Sequence, residues 1–166
     1  MRTKIYEVNA DNLQEKLDEL REAGRIIKEG GLVAFPTETV YGLGGNALDE
    51  ESSRKIYAAK GRPSDNPLIA HIAEMDGLYP LVKEVPETAK KLAECFWPGP
   101  LTMILKKNDN VPYATTGGLD TVAVRMPEHP VARELIKAAG VPVAAPSANV
   151  SGRPSPTIAR HVIEDQ

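Results

Sequence analysis

Residues 121–150 read TVAVRMPEHPVARELIKAAGVPVAAPSANV and alternate between two kinds of apolar pattern. Residues 121–126 form a short run rich in valine, which is typical of a β-strand. Residues 131–139 have apolar side chains at helical spacing, and Gly140 ends this helix because glycine readily adopts the left-handed conformation of a helix C-terminus. Residues 141–145 are apolar again and predict a second strand. A strand, a helix and a strand in succession indicate an α/β fold.

The same alternation extends from this stretch towards both ends of the chain. Apolar runs of strand length predict four more strands, at residues 4–8, 32–35, 68–73 and 101–105. Helical spacing and capping residues predict four more helices, at residues 13–27, 49–60, 86–96 and 157–164. The sequence shows no linker and no internal repeat. We therefore predict one α/β domain over residues 1–166, with a mostly buried sheet that is at least partly parallel.

The composition argues against several classes of protein. The chain has 166 residues, 42% hydrophobic and 26% charged, which are ordinary proportions for a globular domain. No apolar run reaches the roughly 20 residues of a membrane span, and the opening MRTKIYEV lacks the apolar core of a secretory signal. The single cysteine, Cys95, excludes an internal disulfide and suits a cytoplasmic compartment. The net charge of −3 argues against a protein wrapped in nucleic acid, yet it is compatible with a local basic pocket.

The segment PTETVYGLGGNAL, residues 36–48, combines hydroxyl groups at Thr37 and Thr39 with an acid at Glu38 and three glycines. Glycines allow backbone amides to approach a ligand or to adopt positive φ. The segment matches neither of the common phosphate-binding loops. We interpret it as a loop, which is either a purely structural tight turn or part of a ligand site.

The segment KGRPSDNP, residues 60–67, places two cations at the end of a predicted helix. Lys60 and Arg62 could form a phosphate clamp, with the residues before each proline, Arg62 and Asn66, held in extended geometry. The alternative is a solvated helix C-terminus, where cations interact favourably with the helix dipole. The sequence leaves both interpretations open.

Strand alternation places Arg125 on one face with Thr121 and Ala123, opposite the valines. An arginine in an apolar strand needs an anion or access to water. The anion could be a ligand or, as the slightly favoured alternative, a buried structural salt bridge.

The segment APSANVSGRPSPT, residues 145–157, offers the small polar groups of Ser147, Asn149 and Thr157 on a loop that three prolines stiffen. A plain loop that caps the last helix is the alternative.

The remaining candidates for chemistry favour structural roles when each is taken alone. His71 lies in the middle of a predicted strand, where a core histidine with satisfied hydrogen bonds is the ordinary interpretation. Cys95 lies on an amphipathic helix and is interpreted as a core residue, not a nucleophile. No set of histidines and acids has the spacing of metal ligands, so we expect no protein-built metal site.

Taken together, the loops resemble the YrdC superfamily, the threonylcarbamoyl-AMP synthases. The resemblance rests on the order of FPTETVYGLGGNAL, KGRPSDNPLIAHI, WPGPLTMIL, TVAVRMP and APSANVSGRPSPT, and it runs from about residue 31 to residue 157. It implies a twisted mixed sheet flanked by helices, with a concave, positively charged cleft. It also implies a nucleotidyltransferase that makes L-threonylcarbamoyl-AMP from L-threonine, bicarbonate and ATP and releases pyrophosphate. The product serves threonylcarbamoyladenosine modification of tRNA.

The resemblance also implies which residues form the site. It assigns to ATP the side chains of Lys60, Arg62, Asn66, Thr121, Ser147, Asn149 and Thr157. It assigns to L-threonine the side chains of Thr39, His71 and Arg125, with Ser147 able to serve either substrate. Lys60 and Arg62 would be the catalytic residues, because they can neutralise charge that spreads over the phosphates. Arg125 would bind the threonine carboxylate.

The implied cofactor is Mg²⁺ carried with ATP. The implied partners are the tRNA-modification proteins that use the product and, as a further possibility, tRNA itself; no membrane partner is expected. Members of the superfamily usually continue with further strands, and longer members add a second domain, so we expect this chain to lack those parts.

Two rival functions stay open. One is a non-catalytic module that binds RNA or the ribosome, although few aromatic residues, 5%, are present for stacking on bases. The other is the carbamoyl-adenylating domain of a hydrogenase-maturation protein, which would use carbamoyl phosphate instead of threonine.

Overall fold

A computed structural model describes residues 2–166, and its centre is a six-stranded sheet. The strands are β1 (Val33–Phe35), β2 (Gly42–Asn46), β3 (Ile69–His71), β4 (Thr102–Lys106), β5 (Thr121–Arg125) and β6 (Val143–Ala144). The helices are α1 (Leu17–Lys28), α2 (Glu50–Lys60), α3 (Glu87–Phe96), α4 (Tyr113–Thr116), α5 (Pro130–Ala139) and α6 (Ala159–Asp165). Two short 3₁₀ helices cover Leu13–Lys16 and Met75–Gly77.

The sheet is mixed, with the strand order β1-β2-β6-β3-β5-β4. Only β3 and β5 pair in parallel among the described strands, and the other four pairings are antiparallel. The prediction of an α/β fold with a partly parallel sheet is therefore confirmed. Because β3 and β5 run in the same direction, both strands begin at one end of the sheet and finish at the other. This matters for function, since it brings the residues at corresponding ends of the two strands together.

Helices pack against both faces of the sheet, but more completely on one face than on the other. On the first face, Val122 and Val124 are buried in a core with Ile56 of α2 and with α3. On the second face, α1 and α5 pack over Phe35 of β1 and Val143 of β6. They leave part of β3, β5 and β4 uncovered on that side, where Ile104 is 69% exposed and Thr121 and Ala123 are partly exposed, although His71 and Arg125 are buried. We call this uncovered side of β3, β5 and β4 the open face.

Local residue choices explain where the helix beside the site begins and ends. The Asp49 carboxylate accepts a hydrogen bond from the Ser52 amide at 3.1 Å, which caps the start of α2. Gly61 follows Lys60 with φ +61°, a left-handed conformation that favours glycine, and so ends the helix there. The chain then turns directly into the segment that carries Arg62.

Two predictions about backbone conformation are wrong. Residues 4–8 form no strand, because no neighbouring strand pairs with them, although Tyr6 and Val8 still pack against the core. Residues 36–48 are not all loop, because Gly42–Asn46 form strand β2 in a hairpin with β1. Glycine suits this strand since a Cβ at Gly44 would lie 2.7 Å from side-chain atoms of Phe35 and Val143.

Two further features differ from the predictions. The short helix α4 had no counterpart in the sequence interpretation, since four residues are too few to show helical spacing. Cys95 is exposed instead of packed in the core, because the buried face of α3 is formed by Ala89 and Ala93.

Candidate functional site

The topology brings the candidate side chains to two ends of the sheet. Strands β3 and β5 both begin at one end of the sheet. The antiparallel strand β6 finishes at that same end, and the chain continues from there to Ser147. We call this the entry end, and Thr121 begins β5 there. At the opposite end of these strands, which we call the exit end, His71 of β3 lies directly beside Arg125 of β5. Arg125 lies four positions after Thr121 along β5, which corresponds to roughly 13 Å.

Lys60 ties the end of α2 to the loop that follows β6. Its side chain is buried, with 1% relative exposure, and its Nζ donates hydrogen bonds to the backbone carbonyls of Ser147 and Asn149. The Ser151 amide in turn donates to the Lys60 carbonyl at 2.9 Å. Lys60 therefore fixes residues 147–151 against the entry end.

Within residues 2–166, no carboxylate lies within ion-pair distance of the Lys60 ammonium group, although the charge of Asp165 acts on it from farther away. Burial, and then the nearby charge of Arg62, lower the pKa of Lys60 to about 8. Backbone carbonyls satisfy hydrogen bonds but carry no net negative charge. A polyanionic ligand at the entry end would supply the missing charge.

Arg62 is arranged in the same way. Its Nε donates to the Asn66 carbonyl at 3.2 Å, and one terminal nitrogen donates to the Pro67 carbonyl at 3.0 Å. Within residues 2–166 its hydrogen-bond partners are only backbone carbonyls, so its charge is also unneutralised. Three of the five guanidinium N–H groups remain for a ligand.

Asn149 has a buried acceptor that lacks a partner. Its amide nitrogen donates to the carbonyls of Val150 and Arg153, at 3.0 and 2.9 Å. Its side-chain oxygen is buried and accepts no hydrogen bond from the described part of the chain. Such an atom is rare in native structures, and it fits a site where a ligand donates a hydrogen bond.

Arg125 at the exit end has three different partners. Its Nε donates to the Gly99 carbonyl at 3.3 Å and one terminal nitrogen to the Thr39 hydroxyl at 3.1 Å. The other terminal nitrogen forms an ion pair with Glu38. The structure thus contains the buried salt bridge that the sequence left as an alternative to a ligand. Three guanidinium N–H groups are used within residues 2–166, so two remain.

The Thr39 hydroxyl has a fixed orientation. The Thr37 hydroxyl donates to the Val40 carbonyl at 2.6 Å, so its oxygen can only accept from the Thr39 hydroxyl, 3.1 Å away. Thr39 then donates its single proton to Thr37 and accepts from Arg125. A ligand at this hydroxyl would have to donate a hydrogen bond.

His71 is a neutral, buried imidazole. Its Nδ1 lies 3.1 Å from the Ile69 carbonyl and 3.3 Å from the Val143 carbonyl, so Nδ1 carries the proton and donates. Burial, and then the charge of Arg125, lower the pKa of His71 to about 4. The remaining nitrogen, Nε2, is therefore an acceptor at neutral pH.

Residues 25–166 match the family model Sua5/YciO/YrdC, whose description reads "Telomere recombination". The chain belongs to the Sua5/YciO/YrdC family. The resemblance inferred from the loop motifs is thereby confirmed.

Several relatives in this family have a stated activity. The threonylcarbamoyl-AMP synthase of Pyrococcus abyssi is 60% identical over 156 residues, covering 93% of this chain and 46% of its own length. The threonylcarbamoyl-AMP synthase of Bacillus subtilis is 53% identical over 167 residues, covering 99% of this chain and 48% of its own. This chain spans about half the length of these curated relatives.

A solved structure of the family gives the same fold. The crystal structure of P. abyssi Sua5 complexed with L-threonine superimposes with a TM-score of 0.88 and is 61% identical, covering 90% of this chain and 44% of that one. The twisted mixed sheet flanked by helices, which the resemblance implied, is confirmed by this likeness and by the observed strand order.

The structure places most of the residues predicted for the site at these two ends. The entry end gathers Lys60, Arg62, Thr121, Ser147 and Asn149, and the exit end gathers Thr39, His71 and Arg125. Four of the predicted side chains make no hydrogen bond within residues 2–166: Thr121 and Ser147, which are partly exposed, and Asn66 and Thr157, which are exposed. The backbones of the last two border the site, since Arg62 binds the Asn66 carbonyl and the Tyr41 amide binds the Pro156 carbonyl. The ligand roles of all the predicted site residues stay predictions.

Sequence reasoning assigned no role to Glu38. Its carboxylate binds Arg125 and also accepts from the amides of Glu128 and His129, at 2.8 and 3.2 Å. The available signal was an acid between two threonines in a glycine-rich segment. That pattern does not indicate which residue Glu38 contacts, because its partner, Arg125, is 87 residues away in the sequence.

Within residues 2–166, no three or more His, Cys, Asp and Glu side chains cluster in a way that could hold a metal ion. No helix in the same range has the length and apolar character to cross a membrane.

Proposed function

We propose that this chain catalyses the ATP-dependent formation of L-threonylcarbamoyl-AMP from L-threonine and bicarbonate, with release of pyrophosphate. The observation that carries the proposal is the pair of cations at the entry end, Lys60 and Arg62, which form no ion pair with a carboxylate within residues 2–166. Relatives named threonylcarbamoyl-AMP synthase, 60% and 53% identical to this chain, support the choice of reaction.

ATP would bind at the entry end. Lys60 and Arg62 would contact the phosphates, and the unpaired oxygen of Asn149 would accept a hydrogen bond from the nucleoside. Thr121 and Ser147 also lie at the entry end and would complete this subsite. Asn66 and Thr157, which lie beside the entry end, would contribute to it as well. Magnesium would enter as part of the substrate, Mg·ATP, held by the triphosphate.

L-Threonine would bind at the exit end, and the P. abyssi Sua5 structure that shares this fold is a complex with L-threonine. The two remaining N–H groups of Arg125 would hold its carboxylate. His71 Nε2 and the Thr39 hydroxyl are both acceptors, so they would take hydrogen bonds from the ammonium or hydroxyl of threonine. Ser147 could contact either substrate.

The reaction needs alignment more than side-chain chemistry. The threonine nitrogen bonds to the carbon of bicarbonate, and loss of water and a proton gives a carbamate anion. A carbamate oxygen then bonds to the α-phosphorus of ATP while the bond from that phosphorus to the pyrophosphate oxygen breaks. Lys60 and Arg62 would neutralise the charge that develops on the leaving group. The spacing of roughly 13 Å between the two ends suits substrates that meet between them.

The proposal extends to the proteins that use the product and to the compartment in which the reaction takes place. The product would pass to proteins that complete threonylcarbamoyladenosine in tRNA, and tRNA could contact this chain directly. The single cysteine fits a cytoplasmic setting.

Pyrophosphate release from Mg·ATP tests the proposal. The rate should depend on both L-threonine and bicarbonate, and Arg62→Ala should lower it by at least about 100-fold, since a phosphate-binding cation is lost. The matched control is Arg54→Ala, which replaces an exposed arginine of the preceding helix α2 and should leave the rate unchanged. Release that ignores threonine would refute the proposal. An RNA-binding module without catalysis would release no pyrophosphate at all.

A further inference from the structure

Glu38 connects three parts of the molecule through one carboxylate. One oxygen pairs with the guanidinium of Arg125, and the other accepts from the amides of Glu128 and His129 at the start of α5. The side chain is 20% exposed, so it faces the exit end and is not sealed in the core. The segment before β2 is thereby attached to both the open face and helix α5.

These contacts keep Glu38 ionised. Burial alone would raise the pKa of Glu38, but the hydrogen bonds from Arg125 and from backbone amides outweigh it and hold the pKa below its ordinary value. Arg125 and Glu38 thus contribute one positive and one negative charge side by side.

The charges at the exit end therefore cancel. Arg125 contributes +1 and Glu38 contributes −1, while His71 is neutral because its pKa is far below 7. A free amino acid also carries one charge of each sign at neutral pH. An exit end without Glu38 would carry +1 and would favour a simple carboxylate, which has no ammonium group for the cation to repel.

We propose that Glu38 determines specificity for an amino acid over the corresponding acid without an ammonium group, and that it does so by balancing the charge of Arg125. This inference rests on the proposed binding of threonine at the exit end, and it adds the reason why the ammonium group is tolerated there. Glu38 is also a positioning residue, because its contact sets the direction of the Arg125 guanidinium.

The test compares two ligands that differ only in the ammonium group. L-Threonine and 3-hydroxybutanoate share the carboxylate and the hydroxyl, and calorimetric titration gives the ratio of their dissociation constants for each variant. Glu38→Gln should lower the preference for threonine by about tenfold or more, because the positive charge of Arg125 then acts alone on the ammonium. Glu38→Asp keeps the charge and should retain most of the preference. The ratio does not depend on what fraction of the sample is folded.

The matched control is Glu128→Gln. Glu128 is exposed and lies just before α5, and this substitution removes an equal charge without touching Arg125, so the ratio should stay as in the parent protein. If Glu38→Gln weakened the binding of both ligands equally, the inference would be overturned and Glu38 would have only a structural role. If the parent protein binds no threonine at all, the proposed function fails instead.

Discussion

At the scale of single residues, the site is built from charged groups that are held by backbone carbonyls. Lys60 and Arg62 are fixed in direction yet keep their net charge, because a carbonyl oxygen orients a cation without neutralising it. Arg125 differs, since Glu38 balances it. Sequence reasoning found all three cations. It could not distinguish these two environments, because the carbonyls of Ser147 and the carboxylate of Glu38 come from segments distant in the sequence.

The lowered pKa of Lys60 predicts a pH dependence. As the pH rises through about 8, the free protein loses the positive charge of Lys60, so kcat/KM for Mg·ATP should fall about tenfold per pH unit above that value. A pH profile of initial rates measures this directly. Lys60→Arg carries a charge that persists above pH 12, and the fall near pH 8 should disappear. The same fall in that variant would assign it to another group.

At the scale of the elements, close backbone packing decides which residues are allowed. Helices α1 and α5 approach so closely that a Cβ at Gly24 would lie 2.6 Å from backbone atoms of Ala138 and Ala139. Strand β2 has the same property at Gly44, beside Phe35. The sequence predicted α1 and α5 because their apolar spacing is regular. It missed β2 because the glycines that allow close packing are also typical of loops.

Gly24→Ala tests the contact between α1 and α5. In an isolated helix this change stabilises the helix by about 1 kcal/mol. Here, however, the added methyl group would collide with the backbone of α5. We expect the free energy of unfolding to fall by about 1–3 kcal/mol, as for other overpacked cores. Urea unfolding measures the change. Arg21→Ala, at an exposed position of the same helix, should change it by less than about 0.5 kcal/mol, and a stabilised Gly24→Ala variant would contradict the packing.

At the scale of the whole molecule, the incomplete cover of one sheet face creates the site. Helices α1 and α5 cover Phe35 and Val143 but stop short of β3, β5 and β4, so the open face runs from Thr121 to Arg125. The alternation of elements predicted the α/β class. The strand order could not be predicted, because which strands become neighbours depends on contacts between distant segments, as between His71 and Arg125.

The central claim is that nucleotide and amino acid bind at opposite ends of the open face, and separate calorimetric titrations with L-threonine and with a non-hydrolysable Mg·ATP analogue test it most directly. Arg62→Ala should weaken nucleotide binding by at least about tenfold and leave threonine binding within about twofold, whereas Arg125→Ala should do the reverse. Equal weakening of both ligands by either substitution, or unchanged threonine binding in Arg125→Ala, would contradict the account.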